Sequence, residues 1–387
     1  MSPVIAWRAG VVVECGARWD GAREARVALE GEDRTVRALA YPHLVGELEP
    51  GARVLLNVTA LVRGLGTGGY ALVVARTDAL PADAPDGPGH LVKARYTPLQ
   101  AMVLGVDDQE SPHHDALRDA DDLGGMPVVV ADLHSALPAV LAGARAEAVR
   151  RGRALRVAYV MTDGGALPAW FSRAVAGLRD AGWLDACVTT GQAFGGDLEA
   201  VTVHTGLLAA RHVVGADLAV VAQGPGNLGT GTRWGFSGVA AGEAVNAAGV
   251  LRGRPVASLR VSGADARERH LGVSHHSLTA YGRVALVPAD VPVPVLAGLP
   301  GTPEDLAAEG DAGAWSSLAR RVAEQAAGLA EPHGRHRVHD VPADAPLLDA
   351  LRTSPVRLST MGRGLDADPA AFIAAAVAGV HAVRLLG

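Results

Sequence analysis

The sequence predicts an α/β protein in which a small N-terminal β-barrel, OB- or SH3-like, precedes a doubly wound, mostly parallel, Rossmann-like sheet. Two observations predict this fold. Residues 1–78 contain five short β-rich segments separated by glycine and proline turns. From Met126 onward, apolar strand-like runs alternate with helical patterns, which is typical of βα units. We therefore place the barrel at residues 1–78 and the α/β domain at residues 89–387, with a Pro- and Asp-rich linker between them.

The barrel segments alternate apolar and polar residues, and the pattern does not choose between the two barrel types. The expected strands are residues 11–14, 25–29, 35–40, 54–58 and 70–75. No interleaving of basic and aromatic residues accompanies them, so we do not expect a nucleic-acid-binding barrel. A scaffold or lid is the simpler role.

The second domain reads as strands buried on both faces, each followed by a helix. Strands are expected at residues 126–131, 156–161, 185–188, 218–221, 255–261 and 284–287. Helices are expected at residues 136–150, 167–178, 198–213, 239–251, 315–329 and 369–385. We interpret residues 288–302 as a linker or crossover, residues 333–339 as a solvated edge strand, and residues 356–358 as a short strand.

Composition excludes several classes of protein. The 387 residues carry a net charge of -6 and a pI of about 6.2, which disfavours a general nucleic-acid binder. The cysteines, Cys15 and Cys187, are too few and too distant for a disulfide framework or a zinc knuckle. No signal peptide and no apolar run of membrane-spanning length are evident. We therefore expect a cytoplasmic protein that does not associate with membranes.

Polar residues follow each predicted strand, and this convergence is the main functional signal. The carboxyl ends of parallel strands share one edge of the sheet, where ligands bind. Asp132 and His134 follow the first strand and can act as base and orienter or hold a metal. Asp163 follows the second and can do either, or stabilise a helix N-terminus. We take these three as the candidate catalytic residues. Ser135 most simply caps a helix.

The loop that follows the strand at residues 218–221 has many glycine and polar residues, and we call it the glycine loop. It lacks the P-loop pattern, and its G-x-G-x-x-G match has no short strand–turn–helix context. Its backbone amides can still approach an anion, although a structural turn explains the glycines equally simply. The predicted ligand-binding residues at the sheet edge are Gly164, Gly165, Gln192, Gln223, Gly224, Gly226, Asn227, Gly229, Thr230, Gly231, Thr232 and His275.

Lys93 is the single lysine, against 34 arginines. We interpret it as a position that needs an ammonium group rather than a guanidinium. In an extended strand Lys93 and Arg95 point to the same face, where two cations would hold a phosphate or a carboxylate. An ordinary solvated strand face is the alternative.

Seven segments occur here in a characteristic order: GHLVKARYTPLQ with the following Ser-Pro-His-His, MPVVVADLHSALPA, VMTDGGALPAWFS, GQAFGGDLEAV, GPGNLGTGTRWGFSG and STMGRG. In this order the chain resembles a bacterial family catalogued as domain of unknown function 3866. The resemblance covers nearly the whole chain. It implies no activity and no catalytic residue, because the family carries neither.

We expect an enzyme, a hydrolase or transferase, acting on a small phosphorylated or nucleotide-like metabolite at the sheet edge. The alternative is a non-catalytic ligand-sensing or regulatory protein whose barrel contacts a partner. Whether a divalent metal takes part stays open. The closing helix, residues 369–385, is rich in small residues, and we expect a homodimer with that helix or the barrel in its interface.

Overall fold

A computed structural model describes residues 4–83, 86–296 and 312–387 of the chain. The chain divides into two compact units. The first comprises Met1–Val103 together with Trp170–Ala176, and the second comprises Leu104–Ala169 together with Gly177–Gly387. Each unit has its own hydrophobic core, so we describe them separately.

The first unit contains the predicted barrel. Its strands are β1 (Trp7–Trp19), β2 (Ala22–Leu29), β3 (Thr35–Ala40), β4 (Arg53–Asn57) and β5 (Ala71–Arg76). They close in the order β1-β2-β3-β5-β4, with β1 paired to β4 and a single parallel pair, β3 with β5. This order is the Greek-key arrangement of an OB barrel, which decides between the two barrel types. Alternating apolar residues such as Val27, Val54 and Leu56 fill the interior.

Short elements complete the first unit. Helices α1 (Pro42–Val45) and α2 (Thr59–Val62) are single turns that flank β4. The hairpin of β6 (Leu91–Lys93) and β7 (Ala101–Val103) follows the predicted linker. The turn of this hairpin contains two residues with positive φ, Ala94 and Tyr96.

The second unit is built on one sheet of eight strands. They are β8 (Pro127–Val130), β9 (Val157–Thr162), β10 (Ala186–Thr189), β11 (Leu198–Glu199), β12 (Leu218–Gln223), β13 (Arg254–Ala257), β16 (Asp290–Val295) and β17 (Arg337–Pro342). Their order is β11-β10-β9-β12-β8-β13-β16-β17, and every pair of neighbours is parallel. The chain therefore starts near the middle, winds to one edge and returns to the other, as a doubly wound sheet does.

Helices flank this sheet. They are α3 (His114–Leu117), α4 (Leu137–Arg150), α5 (Arg173–Asp180), α6 (Val203–His212), α7 (Ala240–Val250), α8 (His275–Thr279), α9 (Ala312–Ala327), α10 (Ala345–Arg352) and α11 (Pro369–Arg384). Right-handed crossovers put α4, which leads toward β9, on the face opposite to α6 and α7, which lead back. Two pairs of two-residue strands remain: β14 (Val261–Ser262) with β15 (Gly272–Val273), and β18 (Ser359–Thr360) with β19 (Arg363–Gly364).

Several element predictions were wrong in instructive ways. The predicted helix at 198–213 begins as strand β11, and only Val203–His212 is helical, with Thr202 accepting the capping bond from the Thr205 amide. The predicted strand at 284–287 is preceded by a π-helical turn, Ala280–Val284, and contains no strand. Residues 356–358 contain no strand, and the small hairpin of β18 and β19 begins directly after them, at Ser359.

The predicted linker at 288–302 contains β16. Its sequence, DVPVPV, alternates valine with proline, and proline reads as a strand breaker because it has no amide hydrogen. Accordingly, β16 pairs with β13 at one position only, Asp290 with Val256, but with β17 along its whole length. Residues 297–302 of this segment lie outside the described residues.

Strand β17 is an edge strand of the sheet, as predicted, but its histidines are not simply solvated. His336 is buried, and its Nε2 lies 2.8 Å from the carbonyl oxygen of Tyr281. His339 Nε2 lies 3.3 Å from Asp290 Oδ1, and His381 Nε2 lies 2.9 Å from the other carboxylate oxygen, Oδ2. The local sequence could not reveal these contacts, because the partner residues lie in other elements.

Candidate functional site

The carboxyl edge of the sheet brings the predicted site residues together. Asp132, Asp163, Gln192 and Gly226 follow β8, β9, β10 and β12 by at most three residues. Since these strands are parallel neighbours, the four positions lie along one edge, as the sequence predicted. The Asp163 carboxylate accepts a 2.8 Å hydrogen bond from the Gln192 amide, which ties two of the loops directly.

Asp163 has a structural explanation of its own. Its side chain is exposed, and its Oδ2 is held by the backbone of the next loop. A Cβ on Gly191 would lie 2.3 Å from that oxygen, and Gly191 has a φ of 65°. The contact therefore needs a glycine beside the carboxylate. Asp163 positions the β10 loop, and this contact favours positioning over proton transfer.

Two glycines explain how the loops after β9 and β12 meet. A Cβ on Gly165 would lie 2.1 Å from the carbonyl oxygen of Gly224, and one on Gly224 would lie 2.3 Å from that of Ala166. The Ala166 amide donates to the carbonyl oxygen of Pro225 at 2.7 Å. Gly164 similarly leaves room for Gln223, whose Oε1 would be 2.5 Å from a Cβ there. These glycines permit close packing of backbone on backbone.

Gln223 and Asn227 form the base of the glycine loop. Gln223 Nε2 donates to the backbone oxygen of Asp132 and to Asn227 Oδ1, at 3.0 Å in each case. Asn227 Oδ1 also accepts from the Ser237 hydroxyl at 2.9 Å. Both predicted residues therefore connect β12 to Asp132 and to the turn before α7.

The outer part of the loop folds back on itself. Gly229 pairs with Phe236, and the Thr230 amide donates to the Gly235 carbonyl oxygen at 2.7 Å. The hydroxyls of Thr230 and Thr232 lie 3.1 Å apart. These contacts explain the polar residues by the internal geometry of the loop. At its tip Gly231, with a φ of 81°, faces a cleft described below.

His134 lies beside the sheet in a 3-10 turn, His134–Ala136, that opens α4. Its Nδ1 is 2.9 Å from the Tyr159 hydroxyl, and that hydroxyl donates to the carbonyl oxygen of Gln223 at 3.0 Å. Burial lowers the pKa of His134 to about 4, so the imidazole is neutral at pH 7. Ser135, the residue after it, donates to the Thr360 hydroxyl at 3.0 Å.

Asp132, at the carboxyl edge of the sheet, has a buried carboxyl group whose hydrogen bonding is incomplete among the described residues. Its side chain is 3% exposed, and its Oδ2 has no hydrogen-bond partner among the described residues. Burial raises the pKa of this carboxyl above its ordinary value, with the positive charge of Arg260 opposing the shift. A cavity of about 30 Å³ adjoins it, lined also by Arg260 and Arg363. A buried carboxyl with a raised pKa is typical of functional sites.

A cluster of three histidines approaches Asp132 from α8 and the turn before it. His276 Nδ1 lies 3.8 Å from Asp132 Oδ2 and accepts a hydrogen bond from Arg260 at 3.1 Å. Its ring stacks on Phe236, with centroids 3.8 Å apart. His270 and His275 complete the group, and one ring nitrogen of each histidine lies within 4.8 Å of the others. We call these three residues the histidine cluster.

All three imidazoles are neutral near pH 7. Burial and the neighbouring Arg260 lower the pKa of His270 to about 4 and that of His276 to about 3. Burial, followed by Arg269, lowers the pKa of His275 as well. Neutral imidazoles offer lone pairs to a proton or a metal ion.

An arginine-rich cleft of about 410 Å³ opens beside this cluster. We call it the arginine cleft, and its lining residues are Gly231, Arg233, Arg269, His275, Leu278, Thr279 and Arg283. No carboxylate is among them, and none of the three arginines forms an ion pair with another described residue. His275 belongs to both the cleft and the histidine cluster, so the two features are continuous.

Lys93 and Arg95 belong to the first unit, and the reason for pairing them was wrong. Strand β6 ends at Lys93, and Ala94 adopts a positive φ of 48°, so the two residues do not share one extended strand face. Lys93 is 2% exposed, whereas Arg95 is exposed. The sequence did not predict that the strand ends at Lys93, because alanine rarely adopts a positive φ.

The sequence missed the residues that give the site its charge. Arg260, Arg233, Arg269 and Arg283 come from four different segments and form no spacing pattern. The one available signal was the run from Arg267 through His276, in which arginines precede three histidines. It pointed to this region but did not identify which residues line a cleft.

The family described as "Protein of unknown function (DUF3866)" matches residues 37–379. Because the match covers most of the chain, the protein belongs to this family. No curated protein and no solved structure matches the chain. Among the described residues, no helix combines the length and the hydropathy that a membrane crossing requires.

Proposed function

We propose that this member of the DUF3866 family is an enzyme, a hydrolase or transferase, that acts on a small phosphorylated or nucleotide-like metabolite at the carboxyl edge of its parallel sheet. The arginine cleft is the observation that carries the proposal. Arg233, Arg269 and Arg283 line it without a carboxylate to neutralise them. Guanidinium groups match phosphate oxygens in geometry and charge, so this cleft suits an anion with several oxygens.

The cleft leads to groups that can take part in a reaction. His275 lines the cleft and lies in the histidine cluster, whose member His276 lies 3.8 Å from Asp132. Leaving a buried carboxyl oxygen without a partner is costly, and such costs are concentrated at functional sites. We therefore assign Asp132 and His276 to the reactive end of the site, next to the bound anion.

This proposal changes the role predicted for the glycine loop. Contacts within the loop account for Thr230, Thr232 and Asn227, so its backbone is not the main anion site. Its contribution is to carry Arg233 at its tip, next to Gly231. The anion is held by arginine side chains from three segments.

Titration of the purified chain with inorganic pyrophosphate, followed by calorimetry, tests the anion site. A charge-assisted hydrogen bond is worth roughly 1.5–3 kcal/mol, so Arg269→Ala and Arg283→Ala should each weaken binding by about 10-fold or more. Arg211→Ala is the matched control, because Arg211 is an exposed arginine in the last turn of α6, near the opposite edge of the sheet. Equal binding by all four proteins would refute the arginine site.

Catalysis is tested separately from binding. Incubating the protein with a metabolite extract and following it by mass spectrometry should show one phosphorylated species consumed. Asp132→Asn should bind that species but leave it unchanged. If the wild-type protein enriches a metabolite without converting it, the ligand-sensing alternative is correct.

A further inference from the structure

We propose that His270, His275 and His276 form a zinc-binding site beside the arginine cleft. One ring nitrogen from each lies within 4.8 Å of the other two. A tetrahedral zinc ion with Zn–N distances of about 2.1 Å holds its nitrogens roughly 3.4 Å apart. Small side-chain rotations therefore suffice to bring the three nitrogens into range. This inference goes beyond the proposed function, since ion binding requires no metabolite.

The donor set fits zinc in type and number. Three imidazoles with a fourth position left open is a common arrangement of catalytic zinc. His275 lines the arginine cleft, so the open position would face that cleft. Its Nε2 is buried and has no hydrogen-bond partner among the described residues, which leaves this nitrogen available as a ligand. Imidazole suits zinc, copper and nickel better than magnesium or calcium, which prefer oxygen.

The surroundings already orient two of the rings. His270 Nδ1 lies 2.8 Å from the Ser274 hydroxyl, which fixes that ring. His276 Nδ1 lies 3.8 Å from the unpartnered oxygen of Asp132. A carboxylate that accepts from the second nitrogen of a ligating histidine is a recurrent partner in zinc sites, because it fixes the tautomer and increases ligand basicity. Asp132 is thus a positioning residue in this proposal.

Arg260 competes with that arrangement. It donates to His276 Nδ1 at 3.1 Å, which places the ring proton on Nε2. When Asp132 accepts from Nδ1 instead, Nε2 is freed to bind the ion. The positive charges of Arg260 and Arg269 oppose a cation, whereas Asp132 favours one, and Arg267 is neutralised by Asp265. Asp132 and Arg260 should therefore have opposite effects on zinc affinity.

The test is calorimetric titration of the chelator-treated full chain with zinc chloride, with cobalt(II) absorption as a second readout. The wild-type chain should bind one zinc ion at this site. His275→Ala should weaken zinc binding by more than about 100-fold, which exceeds the loss expected when a residue that only contacts a metal ligand is replaced. His339→Ala is the control, because His339 lies in a separate group with Asp290 and His381.

Variants of Asp132 and Arg260 provide a second, independent test of the zinc site. Asp132→Asn should weaken zinc binding by about 10- to 100-fold, and Arg260→Gln should strengthen it. A general disturbance of the fold would weaken binding in both variants. Circular dichroism checks folding, and His270→Ala replaces His275→Ala if the latter is unfolded. The proposal is overturned if the wild type binds no zinc, or if His339→Ala rather than the His275 variant loses it. Pyrophosphate binding without zinc binding would leave the proposed function standing.

Discussion

Oδ2 of Asp132 lies 3.8 Å from Nδ1 of His276, and it has no closer hydrogen-bond partner among the described residues. The carboxyl group is 3% exposed, so its ionised form is poorly solvated. This relationship joins the end of β8 to α8 and places a destabilising group at the centre of the candidate site. Functional residues often lower the stability of the folded protein, as this buried carboxyl group should.

Asp132→Asn should therefore stabilise the metal-free protein while removing its function. Burial raises the pKa of Asp132 in the folded state. An acid with a raised folded pKa binds more protons when folded, so its ionisation costs stability as the pH rises above about 4, the unfolded value. The variant should gain about 1–2 kcal/mol in the free energy of unfolding at pH 8. The gain should disappear at about pH 3, below the unfolded pKa, where the Asp132 carboxyl is protonated in both the folded and the unfolded state.

Urea denaturation at the two pH values measures this difference. Asp163→Asn is the matched control, because that carboxylate is exposed and accepts from the Gln192 amide. It should lose stability or stay unchanged. An Asp132 variant that is less stable than the wild type at pH 8 would show that the carboxylate is well compensated in the folded state.

The position of Asp132 could be predicted from the sequence, whereas its surroundings could not. A continuous apolar run followed by a polar residue predicts a strand and its carboxyl end, and parallel strands share that edge. The cleft depends on Arg269 and Arg283, which come from a 3-10 turn and a π-helical turn. No periodicity links such turns, because only tertiary packing brings them together. The sequence did not predict strand β16, because proline cannot donate a backbone hydrogen bond and therefore indicates a break in a strand.

A second test concerns the buried carboxylate of Asp290, far along the chain from the residues of the candidate site. Its carboxylate accepts from Arg337 at 2.7 Å and contacts His381 at 2.9 Å. Burial opposes ionisation, but the hydrogen bonds from His381 and Arg337 prevail and lower the pKa of Asp290. The ionised Asp290 carboxylate therefore contributes its full stabilisation of the fold above about pH 4, and this stabilisation is lost as the pH falls through the folded pKa.

Asp290→Asn should cost about 1.5 kcal/mol at pH 7, because it removes a charged acceptor from the buried His381 and from the exposed Arg337. The cost should decrease toward pH 2. Asp349→Asn provides the comparison, since Asp349 forms an exposed pair with Arg352 in α10 and should change stability by less than about 0.5 kcal/mol. Guanidinium denaturation across pH measures both. Equal losses in the two variants would contradict a special role for the buried carboxylate of Asp290.

A third prediction concerns the packing of α4 against α11. A Cβ on Gly143 would lie 2.0 Å from the carbonyl oxygen of Ala376, and one on Gly379 would lie 2.0 Å from that of Val140. The two backbones touch at these glycines. Gly143→Ala should therefore destabilise the protein by about 3 kcal/mol, because a backbone atom cannot move aside as a side chain can. Thermal unfolding checks this value.

Gly328→Ala is the control for that substitution. A Cβ there would lie 3.4 Å from its nearest neighbour, the carbonyl oxygen of Gln325, which is ordinary contact. Its effect should stay within about 0.5 kcal/mol. If the two alanine variants unfold at the same temperature, the helices can separate without cost and the close approach is not important.

The last prediction concerns self-association. The closing helix α11 was one of two candidate dimer surfaces, but its residues from Pro369 to Val383 are buried within their own unit, Ala371 being half-buried. It therefore cannot form the interface. The barrel remains, where Trp7 and Val13 on β1 are exposed by 44% and 50%. Exposed large apolar side chains on the surface of a unit favour association.

We therefore expect a homodimer formed through the barrel. Val13→Lys should dissociate it, because a charge in an apolar contact is costly to bury. Val149→Lys is the matched control, since Val149 is an exposed valine at the end of α4 in the other unit. Light scattering across a dilution series should give a dimer mass for the wild type and the control, and a monomer mass for Val13→Lys. A wild-type monomer at high micromolar concentration would exclude the dimer and confine the site to one chain.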